Sequence, residues 1–201
     1  MSGAIRSATD AGVRTLTFER PEKRNAFTAA MYDLLAAALS EAADDADVRV
    51  VLLRGAAGAF TAGNDLAEFL SAPPDPASSP VVRFLHTLAE APVPLVAAVD
   101  GPAVGIGCTL LLHCDLVYAA QDAVFRLPFV PLGLTPEAAA SLLLPRLAGA
   151  QRAAELLLLG EAFDARRAHE IGLVNEVLPP ERLHERALER AKAWSHDPGS
   201  L

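Results

Sequence analysis

Apolar positions fall along this chain in two alternating rhythms, short unbroken runs and stretches with a helical repeat. Ala4–Thr9 and Val13–Phe18 read as two strands about a turn at Asp10-Ala11-Gly12. Thr28 is placed to cap a helix running to about Ala43, with Met31, Leu34, Leu35, Ala38, Leu39 and Ala42 on one face. Val48–Arg54 is a near-continuous apolar run ended by Gly55, the pattern of a strand covered on both sides. A helix is expected over Val81–Ala91, and Pro92 and Pro94 lead into the Leu95–Val99 strand. Leu116–Ala119 and Val124–Arg126 read as further strands. Helices follow at Pro136–Leu147, Gln151–Leu159 and Ala165–Ile171, the last closed by Gly172 at a left-handed position. Leu173–Leu178 is extended, and Pro180–Trp194 is a final amphipathic helix. Strand and helix alternation with buried strands predicts an α/β layered domain without internal repeats.

The connections carry their own signals. Glu19–Phe27 is a charged loop with an apolar end, and Gly58–Asp65 is a loop leading into a helix. Asp65 and Glu68 have the spacing of a capping box. The Pro/Ser-rich segment Ser71–Pro80 predicts a mobile insertion. Thr135-Pro136-Glu137 combines a cap, a first-turn proline and a first-turn acid, so it predicts a helix start.

Composition narrows the function classes. With 201 residues, 52% of them hydrophobic, the chain can bury one sizeable core, alone or with a small appendage. No run approaches the roughly 20 apolar residues of a membrane span, and the first ten residues lack the apolar core of a signal peptide. A net charge of −8 with dispersed basic residues argues against nucleic acid or an anionic membrane as partners. His86, His113, His169, His184 and His196 show no metal-ligand spacing, and Cys108 and Cys114 form no C-x-x-C pair. The two cysteines are expected to be small buried residues of a protein in a reducing cytoplasm. Neither a metal nor a bound redox cofactor is expected.

Candidate chemistry centres on Asp100–Ala119: a buried strand, a glycine turn over Gly101–Gly107, a short apolar helix over Cys108–His113, and a second strand. Glycines at 101, 105 and 107 permit unusual backbone conformations and close approach of a ligand. The first N–H groups of the helix lack intrahelical partners and favour an oxygen that is, or becomes, negative. Packing alone would also account for such a turn. A dinucleotide fingerprint is disfavoured, because Gly105-Ile106-Gly107-Cys108-Thr109-Leu110 lacks a third glycine, and no GK[ST] P-loop occurs.

Four segments in order resemble the crotonase family, the enoyl-CoA hydratase/isomerase superfamily. They are Arg20-Pro21-Glu22-Lys23-Arg24-Asn25-Ala26, Ala59-Phe60-Thr61-Ala62-Gly63-Asn64-Asp65-Leu66, Gly101–Asp115 and Ala168–Val177. The resemblance spans about residue 12 to about residue 194. It implies an α/β fold, a crotonase-like ββα spiral core over 1–135 with a helical C-terminal region over 136–201, shortened relative to the family. Helices beyond residue 201 would ordinarily cover the pocket or a neighbour. It also implies a homo-oligomer, a trimer or dimer of trimers, and an acyl-CoA thioester substrate with coenzyme A present only as part of that substrate.

The resemblance assigns site residues by motif position. The backbone N–H groups of Asn64 and Ile106 would form an oxyanion hole for a thioester enolate. Lys23, Arg24, Asn25, Ala26, Ala62, Gly63, Asp65, Leu66, Gly105, Phe129 and Leu134 would contact coenzyme A or substrate. Thr109 and Phe129 stand where a hydratase carries its two carboxylates, which disfavours standard hydration. The run Phe129–Ala139 resembles the Δ3,Δ2-enoyl-CoA isomerase branch, in which one glutamate, here Glu137, shuttles a proton. A first-turn helix acid is, however, commonly structural, and the dipole would lower its pKa and weaken it as a base; apolar neighbours would oppose this. Asp115 is expected to bond nearby backbone, and His113 to be a packed or surface residue. Another crotonase reaction, such as hydration or thioester hydrolysis, and a non-catalytic CoA-binding or assembly module remain alternatives.

Overall fold

A computed structural model describes residues 4–71 and 79–195. The central stretch of the predicted insertion, 72–78, lies outside the described residues. Strands β1 (Ala4–Asp10), β2 (Val13–Glu19), β3 (Val50–Gly55), β4 (Leu95–Val99), β6 (Leu116–Ala120) and β9 (Glu176–Leu178) form a six-stranded sheet in the order β1-β2-β3-β4-β6-β9. Only the β1–β2 hairpin is antiparallel. A smaller sheet joins β5 (Pro102–Val104), β7 (Val124–Arg126) and β8 (Ala162–Asp164).

Period-two alternation explains the burial on both faces of the large sheet. Val51, Leu53, Ala97, Val99, Val117 and Ala119 point into the main core. Their neighbours Val50, Leu52, Val96, Ala98 and Tyr118 face a second core, closed by Leu183, Ala187 and Ala191 of α8 (Pro180–Ser195). The C-terminal helix therefore returns to the sheet and covers it. On the other face lie α1 (Ala29–Asp44) and α3 (Pro80–Ala89), packed on each other. The Thr28 side chain caps α1 as expected, accepting from the Met31 N–H at 3.2 Å. Because α1 meets both sheet and helix, its buried face is broader than a single stripe. Tyr32 and Ala36 join it, whereas Leu34, expected inside, is exposed.

The chain passes between the sheets by leaving β4 for β5 and β6 for β7, one after the other. Parallel bridges Thr61↔Ala103 and Phe27↔Asn64 extend the small sheet toward α1. This stacked layering is the ββα spiral, and it brings the loops after β2, β3 and β4 to one place. The predicted helix over Cys108–His113 begins earlier, as α4 (Ile106–Thr109) continued by a 3₁₀ turn over Leu110–His113. Strand β5, inside the glycine segment, was not expected.

Two helix ends differ from expectation. Asp65 caps α2 (Leu66–Ser71) by accepting from the Ala67 N–H at 3.0 Å and the Glu68 N–H at 3.4 Å. Glu68 does not reciprocate; it accepts from the Ala29 N–H at 3.1 Å and so ties α2 to the start of α1. The helix expected from Pro136 is α5 (Ala140–Ala148), which starts later because Ala138 and Ala139 take left-handed conformations, φ 50° and 52°. Glu137 is therefore in a turn, not in a first helical turn. Beyond α5, α6 (Ala150–Ala154) widens into a π-type turn over Glu155–Leu159, and α7 (Ala165–Glu170) precedes Gly172 at φ 86°.

Candidate active site

The site begins with an aromatic series. Phe18 of β2 meets Phe27 and Phe60 edge-on, Phe27 meets Tyr32 at 5.4 Å, and Tyr32 meets Phe84 of α3 at 5.5 Å. Such contacts fix ring orientation as well as burying area. The held Tyr32 hydroxyl donates to the Asn64 side-chain oxygen. Burial, with the Glu137 charge nearby, raises the Tyr32 pKa well above the usual tyrosine range, so the phenol remains a neutral donor.

Backbone geometry then aims the Asn64 N–H. In the bridge to Phe27, the Phe27 N–H donates to Gly63 and the Asp65 N–H donates to Phe27, at 2.7 and 2.9 Å. Alternation along an extended segment turns the Asn64 N–H away from Phe27, toward the β5–α4 turn. Gly63 is needed there: at φ 89°, a Cβ would lie 2.7 Å from the Val104 carbonyl oxygen. Gly105, at φ 55° and ψ −118°, makes the turn that starts α4 and leaves Ile106 as its first residue. Among the described residues, neither the Asn64 nor the Ile106 N–H has an acceptor.

Both donors border a cavity of about 520 Å³ that Glu137 also lines. Of the residues expected at the ligand, Lys23, Ala26, Ala62, Gly63, Asp65, Leu66, Gly105, Phe129 and Leu134 line it too. Arg24 and Asn25 do not. Asn25 is fully buried and serves the loop. Its Oδ1 accepts from the Arg20 N–H at 2.8 Å, and its Nδ2 donates to the Ala56 and Ala59 carbonyls at 2.9 and 2.6 Å. Ala67, Val104, Pro128 and Pro131 are lining residues that the sequence reading passed over, and Arg126 is one that it left unplaced. Tyr32 was also missed; its one signal was a polar-tipped aromatic beside the apolar face of a helix. Thr109 is fully buried, its hydroxyl donating to the Gly105 carbonyl at 3.3 Å.

The two carboxyl groups among the described lining residues have opposite environments. Asp65 accepts from Arg20 at 2.8 Å, and that bond holds its pKa below the ordinary carboxylate value. Among the described residues, Glu137 has no cationic partner. Its Oε1 is buried and unbonded, and burial pushes its pKa up to about 7. The dipole argument for a weakened base fails because Glu137 lies outside α5. A pair of carboxyls pushed apart in this way separates an inert ion from a group able to exchange protons near neutrality.

Other polar groups are structural. Asp115 accepts from the Leu95 N–H at 2.8 Å, a distant strand rather than the nearby backbone expected. His113 is neither merely packed nor free: its Nε2 lies 2.9 Å from the Ala138 carbonyl oxygen. Cys108 is buried, its thiol pushed up to about 12 by desolvation. Among the described residues, no group of His, Cys, Asp and Glu is arranged to hold a metal, and no helix is long and apolar enough to cross a membrane.

The enoyl-CoA hydratase/isomerase family model matches residues 8–200. The chain belongs to this family. Its fold is accordingly the crotonase fold, and its relatives carry both isomerase and hydratase names. Over 158 residues it is 39% identical to enoyl-CoA delta isomerase 2 of Rattus norvegicus, covering 76% of this chain and 40% of that protein. Over 156 residues it is 42% identical to 1,2-epoxyphenylacetyl-CoA isomerase of Escherichia coli, covering 74% of this chain and 60% of that protein. Thus the matched region spans about half the length of these curated relatives. The solved structure of OdaA from Pseudomonas aeruginosa superposes with a TM-score of 0.94 at 49% identity, covering 98% of this chain and 80% of that one.

Proposed function

We propose that this enoyl-CoA hydratase/isomerase family member is a Δ3,Δ2-enoyl-CoA isomerase. One observation carries the reading: among the described residues, an unpaired carboxyl with a pKa of about 7 faces a cavity bordered by two orphan backbone N–H groups. The chemistry needs one base. The Glu137 carboxylate takes a proton from C2 of a 3-enoyl thioester, and the C–H electron pair moves into a dienolate with its charge on the thioester oxygen. The Asn64 and Ile106 N–H groups stabilise that oxygen; preorganised donors of this kind are each worth roughly 10²–10³ in rate. Glu137 then returns the proton to C4, and the C3–C4 double bond becomes C2–C3. Neither water nor a redox cofactor enters the balance.

Among the described lining residues, Asp65 is committed to Arg20, and Thr109 and Phe129 hold no carboxyl where a hydratase carries its pair, which supports isomerisation over hydration. The names of the rat and Escherichia coli relatives, both CoA isomerases, are in keeping with this choice. Lys23, which lines the cavity, would meet a phosphate of coenzyme A in this reading. Incubation with 3-enoyl-CoA and, separately, 2-enoyl-CoA tests the reading. It expects isomerisation of the first to exceed hydration of the second, and it loses to a hydratase if the order is reversed. Binding of acyl-CoA with turnover of neither would favour a non-catalytic module.

A further inference from the structure

The Glu137 turn is held in a conformation that its own sequence does not favour. Ala138 and Ala139 are consecutive left-handed residues without a glycine between them. Alanine avoids this region, so such a pair persists only where surrounding contacts fix it. Local bonds contribute: the Ala140 N–H donates to the Glu137 carbonyl, and the Leu142 and Leu143 N–H groups donate to Ala139, all at 2.9 Å. Among the described residues, one hydrogen bond reaches residues 135–139 from elsewhere in the chain, His113 Nε2 to the Ala138 carbonyl at 2.9 Å. A carbonyl only accepts, so Nε2 carries the proton.

His113 ends the 3₁₀ turn that continues α4, and α4 begins with Ile106. One short rigid segment therefore carries an orphan N–H at one end and the tie to the Glu137 turn at the other. His113 also lines a separate cavity of about 260 Å³ with His86, Val82, Leu85, Ala89, Ala138 and Ala139. That cavity borders the turn at Ala138 and Ala139, so the turn has room to relax if the tie is lost.

We infer that His113 is a positioning residue: its Nε2–H holds the left-handed Ala138–Ala139 turn and thereby sets Glu137 relative to the Ile106 donor. The catalytic part of this inference rests on the isomerase reading, and the positional part does not. Small displacements of a reacting group are enough to lower rate about 10²-fold.

The test compares His113→Ala with His113→Gln, whose side-chain amide restores a donor near the position of Nε2. With 3-enoyl-CoA, His113→Ala should lower kcat by about 10- to 100-fold with KM within about threefold, and His113→Gln should recover most of kcat. A second readout needs no turnover: the pH-dependent stability difference between Glu137 and Glu137→Gln forms of the protein. In the His113→Ala background that difference should shrink, because a relaxed turn lets water reach the carboxyl. If wild-type protein isomerises nothing, the isomerase reading falls and this second readout still decides the role of His113. An unchanged stability difference in His113→Ala overturns the inference, as does a His113→Gln variant no better than His113→Ala. Should His113→Ala not fold, His113→Phe, which fills the space without a donor, takes its place.

Discussion

Replacing Glu137 by Gln should change how stability depends on pH, whatever the substrate. Burial raises the Glu137 pKa from 4.5 to about 7. The folded protein then binds more protons than the unfolded chain between those values. Stability from this group is fully present below about pH 4.5, falls as pH rises, and reaches its floor above about pH 7. A shift of this size corresponds to about 3 kcal/mol in all. Between pH 5 and pH 8.5 the wild-type protein should lose about 2.5 kcal/mol relative to Glu137→Gln. The uncharged amide removes the titration, while every other titrating group is common to both proteins and cancels. Urea unfolding of the two proteins at matched concentration, at four or five pH values, measures the difference directly. Curves that run parallel within about 0.5 kcal/mol across this range would show an ordinary, solvated carboxyl and refute the reasoning.

Three further outcomes follow from other parts of the molecule. Asn25→Ala leaves the Arg20 N–H and the Ala56 and Ala59 carbonyls without their partner, and should destabilise the protein by about 3 kcal/mol or more; a loss below about 1 kcal/mol in urea unfolding would contradict that role. Ile106→Pro deletes the backbone donor at the first position of α4, where proline is best tolerated, and should lower turnover by about 10²–10³ with circular dichroism unchanged; a folded variant with wild-type turnover would exclude this N–H. The exposed Leu142, Leu147, Leu158 and Leu159 of the helical region are expected to be covered by another copy, so sedimentation at micromolar concentration should show an oligomer, with monomer alone as the contrary result.

Much of this architecture was legible because its determinants are local. Thr28 before an amphipathic run, the unbroken apolar strands, and Gly172 after Ala165–Ile171 each act through their immediate neighbours. The two N–H groups that border the cavity were legible by resemblance, since the glycine segments carry their own backbone geometry. What escaped the sequence depends on distant partners. Strand β5 is three residues long and exists by pairing with β7 and Thr61. Asn25 looked like a ligand-loop residue, but its bonds run to carbonyls more than thirty residues away. The start of α5 was misplaced because Thr135-Pro136-Glu137 is a good local helix start. The tie from His113, 25 residues earlier, instead goes with two left-handed alanines that no glycine announced. Of the two opposing effects the sequence allowed at Glu137, helix dipole and apolar neighbours, burial sets the direction.

The central claim is that Glu137 is the proton shuttle, and turnover of 3-enoyl-CoA by Glu137→Gln tests it most directly. Gln keeps the size and polarity of the side chain and leaves the cavity rim at Lys23, Ala26 and Ala62–Leu66 unaltered. Positioned acid–base catalysis contributes roughly 10²–10⁴, so kcat should fall by that factor. Acyl-CoA affinity, measured by calorimetry on the same preparation, should stay within about threefold of wild type. Near-wild-type turnover in the folded variant would contradict the account.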